Sequence, residues 1–175
     1  MIEAIGAGIV LIVAITSIIA LHSFAPWIPA KTALIKTALS SLKPSKNLKF
    51  VDLGCGDGRI VFLAACHFGL QAHGWERAPL PYALARIRSL AYSRCAAHIH
   101  YGDLFSVDLS QFDIIYFYGL PETVNIALYA KMRKEVKPGT TIMSYNFSIK
   151  NVSPLAVFTE KWRSVYIYRW QSSSG

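Results

Sequence analysis

Three glycines at alternate positions, Gly54, Gly56 and Gly58, constrain the fold of this chain more than any other feature. They follow an apolar run over residues 48–53 and precede a helical pattern over residues 58–68. Glycine tolerates positive φ and has no Cβ to obstruct a ligand. A strand, a glycine turn and a helix in this order bring backbone N–H groups close to a bound cofactor.

The spacing of the glycines separates two kinds of cofactor. A dinucleotide fingerprint is G-x-G-x-x-G, whereas here Asp52 stands two residues before Gly54 in an acid-x-G-x-G-x-G pattern. That pattern resembles motif I of the seven-strand (class I) S-adenosylmethionine-dependent methyltransferases. The alternative is a structural glycine turn in another α/β protein. The resemblance implies S-adenosylmethionine as cofactor and S-adenosylhomocysteine as product. The predicted cofactor-binding residues of this stretch are Asp52, Gly54, Cys55, Gly56, Asp57 and Gly58.

The remaining chain alternates between strand and helix patterns. Strands are predicted at 48–53, 71–76, 97–101, 112–118 and 140–145, followed by a hairpin over 156–161 and 164–170. Helices are predicted at 31–42, 58–68, 80–94 and 122–134. The count and order predict an α/β, Rossmann-like seven-strand methyltransferase sheet whose last strand is antiparallel.

Two further acids are candidates to hold the cofactor. Glu76 closes the second predicted strand, and a carboxylate there accepts from both hydroxyls of a ribose. Asp103 follows the third strand, where methyltransferases of this class commonly have an acid that meets the adenine amine. His98 and His100 alternate on that strand and are interpreted as structural.

The carboxyl end of the fourth strand is predicted to face the transferable methyl group, because open α/β sheets place ligands at that edge. Tyr118 is the first candidate to orient an acceptor amine, through its hydroxyl or its ring face. Tyr145 and Asn146, at the end of the fifth strand, are the next candidates for a catalytic role. Glu122 is a possible proton acceptor, or alternatively a helix-start carboxylate.

The first 25 residues favour a transmembrane anchor. Residues 4–24 hold no charged side chain and are long enough to cross a bilayer, at about 20 residues. Five lysines and no acid follow between residues 31 and 49, which predicts a cytoplasmic catalytic domain. We expect a single-pass protein of a bacterial inner membrane, with the mitochondrial inner membrane as the alternative. The division expected is 1–25 anchor, 26–47 pre-core helix and linker, 48–171 methyltransferase domain and 172–175 disordered tail.

Taken together, three stretches resemble the small membrane-anchored protein-lysine methyltransferases, whose mitochondrial members modify the ATP synthase c-subunit and the adenine nucleotide translocase. They are the Pro-aromatic-x-Pro element at residues 26–29, residues 52–61 and residues 118–121. The resemblance implies a membrane-protein substrate with an accessible lysine. It also implies substrate-binding roles for Pro26, Trp27, Pro29, Pro121 and Glu122. The chain departs from the family at Ala30 and over residues 148–150, both near the substrate side.

Other function classes stay open as alternatives. They are a small-molecule or lipid-headgroup methyltransferase on the same fold, a non-catalytic S-adenosylmethionine-binding membrane protein, and an RNA methyltransferase. The net charge is +8, but an aromatic and basic RNA-binding module is not evident, so no nucleic acid is expected. Cys55, Cys66 and Cys95 are widely spaced, which predicts three free thiols in a reducing compartment and no metal site. The sequence leaves the oligomeric state open.

Overall fold

The structure, a computed structural model, describes residues 30–171. The helices are α1 (Thr32–Leu42), α2 (Arg59–Phe68), α3 (Pro79–Ser89) and α4, which begins at Pro121 and ends at Glu135. The strands are β1 (Lys49–Leu53), β2 (Gln71–Glu76), β3 (Ala97–Tyr101), β4 (Ile114–Phe117), β5 (Thr141–Tyr145), β6 (Ala156–Glu160) and β7 (Arg163–Arg169). Short 3₁₀ turns cover Leu90–Tyr92, Leu104–Ser106 and Leu109–Gln111.

The seven strands form one sheet in the order β3-β2-β1-β4-β5-β7-β6. Strands β1 to β5 pair in parallel, and β7 runs antiparallel to both β5 and β6. The predicted seven-strand Rossmann-like sheet with a reversed last strand is therefore confirmed. The strand order changes direction between β1 and β4, and open α/β sheets bind ligands at the carboxyl ends of the strands at such a point.

Helices cover both faces of the sheet. Helices α1, α2 and α3 pack on one face, where Ile35, Val61 and Ala85 share a core with Phe50 and Tyr116 of the strands. Helix α4 and the turns before β4 pack on the other face, in a second core. Strand β4 is buried at all of its positions, as expected for a central parallel strand with both faces covered.

Two predicted helices differ in detail from those observed. The helix predicted over 80–94 ends as an α-helix at Ser89 and tightens into a 3₁₀ turn before β3. Helix α4 is α-helical over Pro121–Thr123 and Tyr129–Glu135 but π-helical over Val124–Leu128. A π-helical turn widens the hydrogen-bonding pattern by one residue and often occurs near functional sites.

The prediction of three free thiols is wrong for two of them. Cys66, in the last turn of α2, and Cys95, two residues before β3, form a disulfide with Cα atoms 5.2 Å apart. They are separated by 29 residues in sequence, and only the βαβ crossover brings them together. Cys55 is free and buried. The thiols therefore no longer support a reducing compartment.

The N-terminal predictions lie outside the described residues. These predictions are the transmembrane segment and the substrate-binding roles of Pro26, Trp27 and Pro29. Among residues 30–171, none of the helices combines the length and hydropathy needed to cross a membrane.

Candidate active site

The glycine loop between β1 and α2 is held by its own backbone. The amide groups of Gly54 and Cys55 both donate to the carbonyl of Trp75 at 2.9 Å, which fixes the loop to the end of β2. Gly54, Gly56 and Gly58 have φ values of 91°, 56° and 77°, in the left-handed region that favours glycine. Any amino acid other than glycine would therefore be strained at these three positions.

Two glycines of this region permit close packing rather than ligand approach. A Cβ on Gly58 would lie 2.7 Å from the ring of Phe62, one turn into α2. A Cβ on Gly74, in β2, would lie 2.6 Å from Val61 and 2.7 Å from the Cβ of Cys55. By contrast, a Cβ on Gly54 would meet nothing within 4 Å, so the open side of the loop lies there.

Glu76 and Asp103 lie together at the carboxyl edge of the sheet. One carboxylate oxygen of Glu76 accepts from the amide of Gly56 at 2.8 Å, and the other accepts from the amide of Ala78 at 2.7 Å. The carbonyl of Glu76 accepts from the amide of Gly102, directly before Asp103. The Asp103 side chain is about half exposed and lies 3.7 Å from the guanidinium of Arg77. Glu76 therefore contacts the glycine loop, and Asp103 follows the neighbouring strand at the same edge of the sheet.

Asp57 is engaged by two arginines. Its carboxylate pairs with Arg59 at 2.6 Å and with Arg88 of α3 at 2.7 Å. Burial favours the neutral acid, but the hydrogen bonds and charges of the two guanidinium groups outweigh it and lower the pKa of Asp57. These contacts tie the loop to α2 and α3. A cofactor-binding role for Asp57 stays a prediction.

Asp52 is buried beneath the loop. Burial raises its pKa well above the ordinary value, and the carboxylates of Glu76 and Asp57 raise it further. Its neighbour across the β1–β4 pair is Tyr116, whose hydroxyl is buried without a hydrogen-bond partner in the described part of the chain. Burial also raises the pKa of the Cys55 thiol, which therefore stays protonated and makes a poor nucleophile.

Aromatic side chains form a cluster at the carboxyl ends of β4 and β5. The ring of Tyr118 meets that of Tyr145 edge-on at 5.8 Å and stacks on Phe147 at 6.2 Å. Tyr145 is buried, and its hydroxyl accepts from the amide of Lys31, just before α1, at 3.2 Å. Partial burial, and then Tyr145, raise the pKa of Tyr118. Tyr118 is therefore a neutral phenol at physiological pH.

The other predicted residues of this edge have structural contacts. Asn146 has a φ of 67°, and its side-chain oxygen accepts from the amide of Ser164 in β7. Pro121 opens α4, and Glu122 is exposed in its first turn. The side chain of Asn125 donates to the Pro121 carbonyl and accepts from the amide of Lys150, both at 2.7 Å. Catalytic roles for Tyr118, Tyr145 and Asn146, and substrate-binding roles for Pro121 and Glu122, stay predictions.

The sequence reasoning missed several residues that shape this site. An isolated glycine inside a strand indicates close backbone approach, and this signal was available for Gly74. The positions of Arg88, Asn125 and Phe147 depend on contacts between elements and carry no comparable local signal. Among the described residues no cluster of His, Cys, Asp and Glu could hold a metal ion.

The arrangement fits S-adenosylmethionine. The loop has an open side at Gly54, where a Cβ would find space. A carboxylate suited to ribose hydroxyls stands beside it, fixed by the amide of Gly56. Residues from the glycine loop, Glu76 and Asp103 would hold the cofactor, with the aromatic cluster on the neighbouring strands.

Comparisons with known proteins agree with this geometry. Residues 52–156 match the family model described as the ANTKMT methyltransferase domain. A protein-lysine N-methyltransferase of Saccharolobus islandicus is 34% identical over 75% of this chain and 83% of its own length. The adenine nucleotide translocase lysine N-methyltransferase of Mus musculus is 33% identical over 82% of this chain, which spans 62% of that relative.

A solved structure shows the same fold with the cofactor product bound. An RNA methyltransferase from Salinibacter ruber in complex with S-adenosyl-L-homocysteine has a TM-score of 0.72 and is 27% identical. The match covers 81% of this chain and 93% of that one. From the loop geometry and these likenesses together, the chain is an S-adenosylmethionine-dependent methyltransferase and belongs to the ANTKMT methyltransferase domain family.

Proposed function

We propose that this protein methylates the side-chain amine of a lysine in a membrane-associated protein. The observation that carries the proposal is the cluster of Tyr118, Tyr145 and Phe147. It lies at the carboxyl ends of β4 and β5, the same edge of the sheet as the glycine loop. The names of the relatives from Saccharolobus islandicus and Mus musculus support a lysine acceptor.

The aromatic cluster suits a lysine because the lysine side chain carries a positive charge. A lysine amine has an ordinary pKa of about 10.4 and is an ammonium at neutral pH. The ring faces of Tyr118 and Phe147 attract an ammonium, and their apolar surroundings lower its pKa. When bound, S-adenosylmethionine supplies an electrophilic methyl group, and its transfer to the amine leaves S-adenosylhomocysteine. The chain's contribution is to orient the amine and to exclude water.

Tyr118 is the proposed orienting residue. Its raised pKa keeps the hydroxyl protonated, so the oxygen accepts a hydrogen bond from the amine and does not act as a base. Tyr145 lies behind it as a buried support. Asn146 holds the end of β5 to β7. Glu122, exposed at the start of α4, is the proposed acceptor of the lysine proton.

The membrane part of the proposal rests on the sequence. The uncharged residues 4–24 are proposed to span a bacterial inner membrane, and the lysines after them to keep the domain on the cytoplasmic side. The disulfide between Cys66 and Cys95 argues against the cytoplasmic side, because cytosolic disulfides are rare outside hyperthermophiles. Protease accessibility of the domain in sealed vesicles of known orientation tests directly on which side of the membrane the domain lies.

The acceptor is tested by labelling. The full chain is incubated with membranes of its host and S-adenosylmethionine carrying a labelled methyl group, and protein, lipid and RNA are then separated. Label in a membrane-protein band, recovered as methyl-lysine after hydrolysis, is the expected result. The Gly56→Arg variant, which blocks the loop, is the matched control and is expected to transfer no label.

The same fractions separate the alternatives. Label confined to lipid would establish a headgroup methyltransferase and reject the lysine proposal. Label confined to RNA would agree with the name of the Salinibacter ruber neighbour and would reject it equally. Binding of the labelled cofactor without transfer to any fraction would indicate a non-catalytic binding protein.

A further inference from the structure

Helix α3 presents an apolar face to solvent. Leu80, Leu84 and Ile87 recur at helical spacing and are 50%, 39% and 67% exposed. Leu90, at the start of the following 3₁₀ turn, is 76% exposed. The opposite side of the helix already packs on the sheet through the buried Ala85. A surface helix normally exposes a polar face, so the outer face of α3 requires a partner.

Arginines flank this apolar stripe. From residue 77 to residue 102 the sequence contains four arginines and no aspartate or glutamate. On a helical projection Arg86 and Arg88 fall on opposite sides of the stripe. Arg88 also pairs with Asp57 at 2.7 Å, and Arg77 lies 3.7 Å from Asp103. Exposed apolar residues bordered by basic ones are typical of helices that lie in the interface of a bilayer.

The charge pattern favours lipid over two other occupants. A second copy related by a two-fold axis would bring together two patches of the same positive charge, which is repulsive. Residues 4–24 of this chain could cover the apolar stripe, but they contain no charge to complement the arginines. Anionic phospholipid supplies both acyl chains for Leu84 and Ile87 and phosphates for the arginines.

We propose that the outer face of α3, defined by Leu80, Leu84, Ile87 and Leu90 with Arg77, Arg86 and Arg94 around it, docks on the surface of an anionic phospholipid bilayer. The leucines and Ile87 enter the boundary between headgroups and acyl chains, and the arginines contact phosphates. This contact is separate from the proposed anchor at residues 4–24. It does not depend on the identity of the methyl acceptor, since it concerns only how the domain lies against the membrane.

The test uses a probe on α3 itself, so that an inserted anchor cannot imitate the result. The full chain with Ile87→Cys carries an environment-sensitive fluorophore and is reconstituted into vesicles of phosphatidylcholine, with or without phosphatidylglycerol. The matched label is at Gln111→Cys, an exposed position in the other layer of the fold. We expect a blue shift and a rise in intensity at position 87 in the phosphatidylglycerol vesicles, with no change at position 111.

Removal of arginine charges measures how much these residues contribute to the docking of α3. Each arginine near an anionic surface contributes about a fivefold factor, so Arg86→Gln with Arg94→Gln is expected to lower the docked fraction relative to the undocked one by about 25-fold. Lys134→Gln with Lys137→Gln makes the same change in net charge on the other layer and is expected to leave the signal unchanged.

Three results would overturn the proposal. If the fluorophore at position 87 is as exposed to solvent as the one at position 111 in every vesicle, α3 does not contact lipid. An equal shift with and without phosphatidylglycerol would remove the role of the arginines. A shift already present in the absence of lipid would show that protein, either residues 4–24 or another chain, covers this face.

Discussion

The two halves of the sheet hold their parts of the site by different means. In the glycine half, formed by β1, β2 and β3 with α2 and α3, backbone amides and close glycine packing set most of the geometry, and the pair of Asp57 with Arg88 adds a side-chain contact to α3. In the aromatic half, formed by β4 to β7 with α4, side chains such as Tyr118 and Asn125 set the geometry. A site built from the backbone needs glycine at its close contacts, because a residue with a Cβ would not fit there. A site built from side chains depends on which residues are present, and substitution can retune it.

The largest expected effect is on the glycine half, from Gly74→Ala. The added Cβ would lie 2.6 Å from Val61 and 2.7 Å from Cys55, so the loop or α2 must move. We expect the free energy of unfolding to fall by about 3 kcal/mol and cofactor affinity to fall about a hundredfold. Chemical denaturation and calorimetric titration with S-adenosylmethionine measure the two quantities.

Gly139→Ala is the control for this substitution. Gly139 has a φ of 88° and open space around its Cβ position, so the change costs about 1 kcal/mol of strain and leaves affinity unchanged. Unaltered cofactor binding by Gly74→Ala would show that the loop is not held by packing against β2.

The second effect concerns the covalent link in the glycine half. Reduction of the disulfide between Cys66 and Cys95 is expected to lower the free energy of unfolding by about 2–3 kcal/mol, because it frees a closed loop in the unfolded chain. Urea denaturation with and without a reductant measures the loss. The double variant Cys66→Ser, Cys95→Ser should have the same urea midpoint with and without the reductant. Identical midpoints for the parent chain would contradict a stabilising role for the disulfide.

Glu76→Gln is expected to weaken cofactor binding about twentyfold. The carboxylate accepts from the amide of Gly56, and hydrogen bonds to charged groups contribute about 1.5–3 kcal/mol each. Glu122→Gln, at the start of α4, removes a carboxylate from the aromatic half and should leave cofactor affinity as it is. If both variants bind equally well, the predicted ribose contact is wrong.

Tyr118→Phe tests the aromatic half. Loss of the hydroxyl that orients the acceptor is expected to lower kcat about tenfold while the Kd for S-adenosylmethionine changes by less than about twofold. Tyr101→Phe, on the exposed edge strand β3, is the matched control and should change neither. An accompanying loss of affinity for S-adenosylmethionine would show that Tyr118 contributes to cofactor binding and does not act only on the acceptor.

The smallest expected effect is pH dependence, and it belongs to the glycine half. Burial, followed by the charges of His98 and His100, lowers the pKa of His73 in β2 to about 4. Between pH 4 and the ordinary value of about 6.5 the folded chain binds fewer protons than the unfolded one, so stability falls as the pH falls through this window. Because His73 is only partly buried, we expect no more than about 1 kcal/mol.

Two variants isolate that contribution. His73→Gln should flatten the dependence of the denaturation midpoint on pH between about 4 and 6.5. His67→Gln, on the exposed end of α2, should preserve it. An unchanged slope in His73→Gln would assign the dependence to other groups.

The same contrast explains how much could be predicted from sequence. The glycine turn, the alternation of strands and helices and the acid at the end of β2 leave local signals, and together with the likeness to the methyltransferase topology they predicted the seven-strand sheet with its reversed last strand. The contact of Glu76 with the amide of Gly56 was not predicted. The pairing of Cys66 with Cys95 left no local signal, because spacing in sequence does not reveal the distance between Cα atoms. The π-helical turn over Val124–Leu128 likewise has no pattern that the hydrophobic period detects.

The position of α1 has a consequence for synthesis. This helix is the first described element of the chain, yet it packs against β6 and β7, and Lys31 just before it pairs with Glu160. Strand β7 lies between β5 and β6, so that surface forms only when the last hairpin has emerged. During translation α1 can contact α2 early, but its contacts with β6 and β7 must wait until the ribosome has completed nearly the entire domain. Emergence of β7, and not the appearance of the glycine loop, therefore sets the earliest moment at which folding of this sheet can finish.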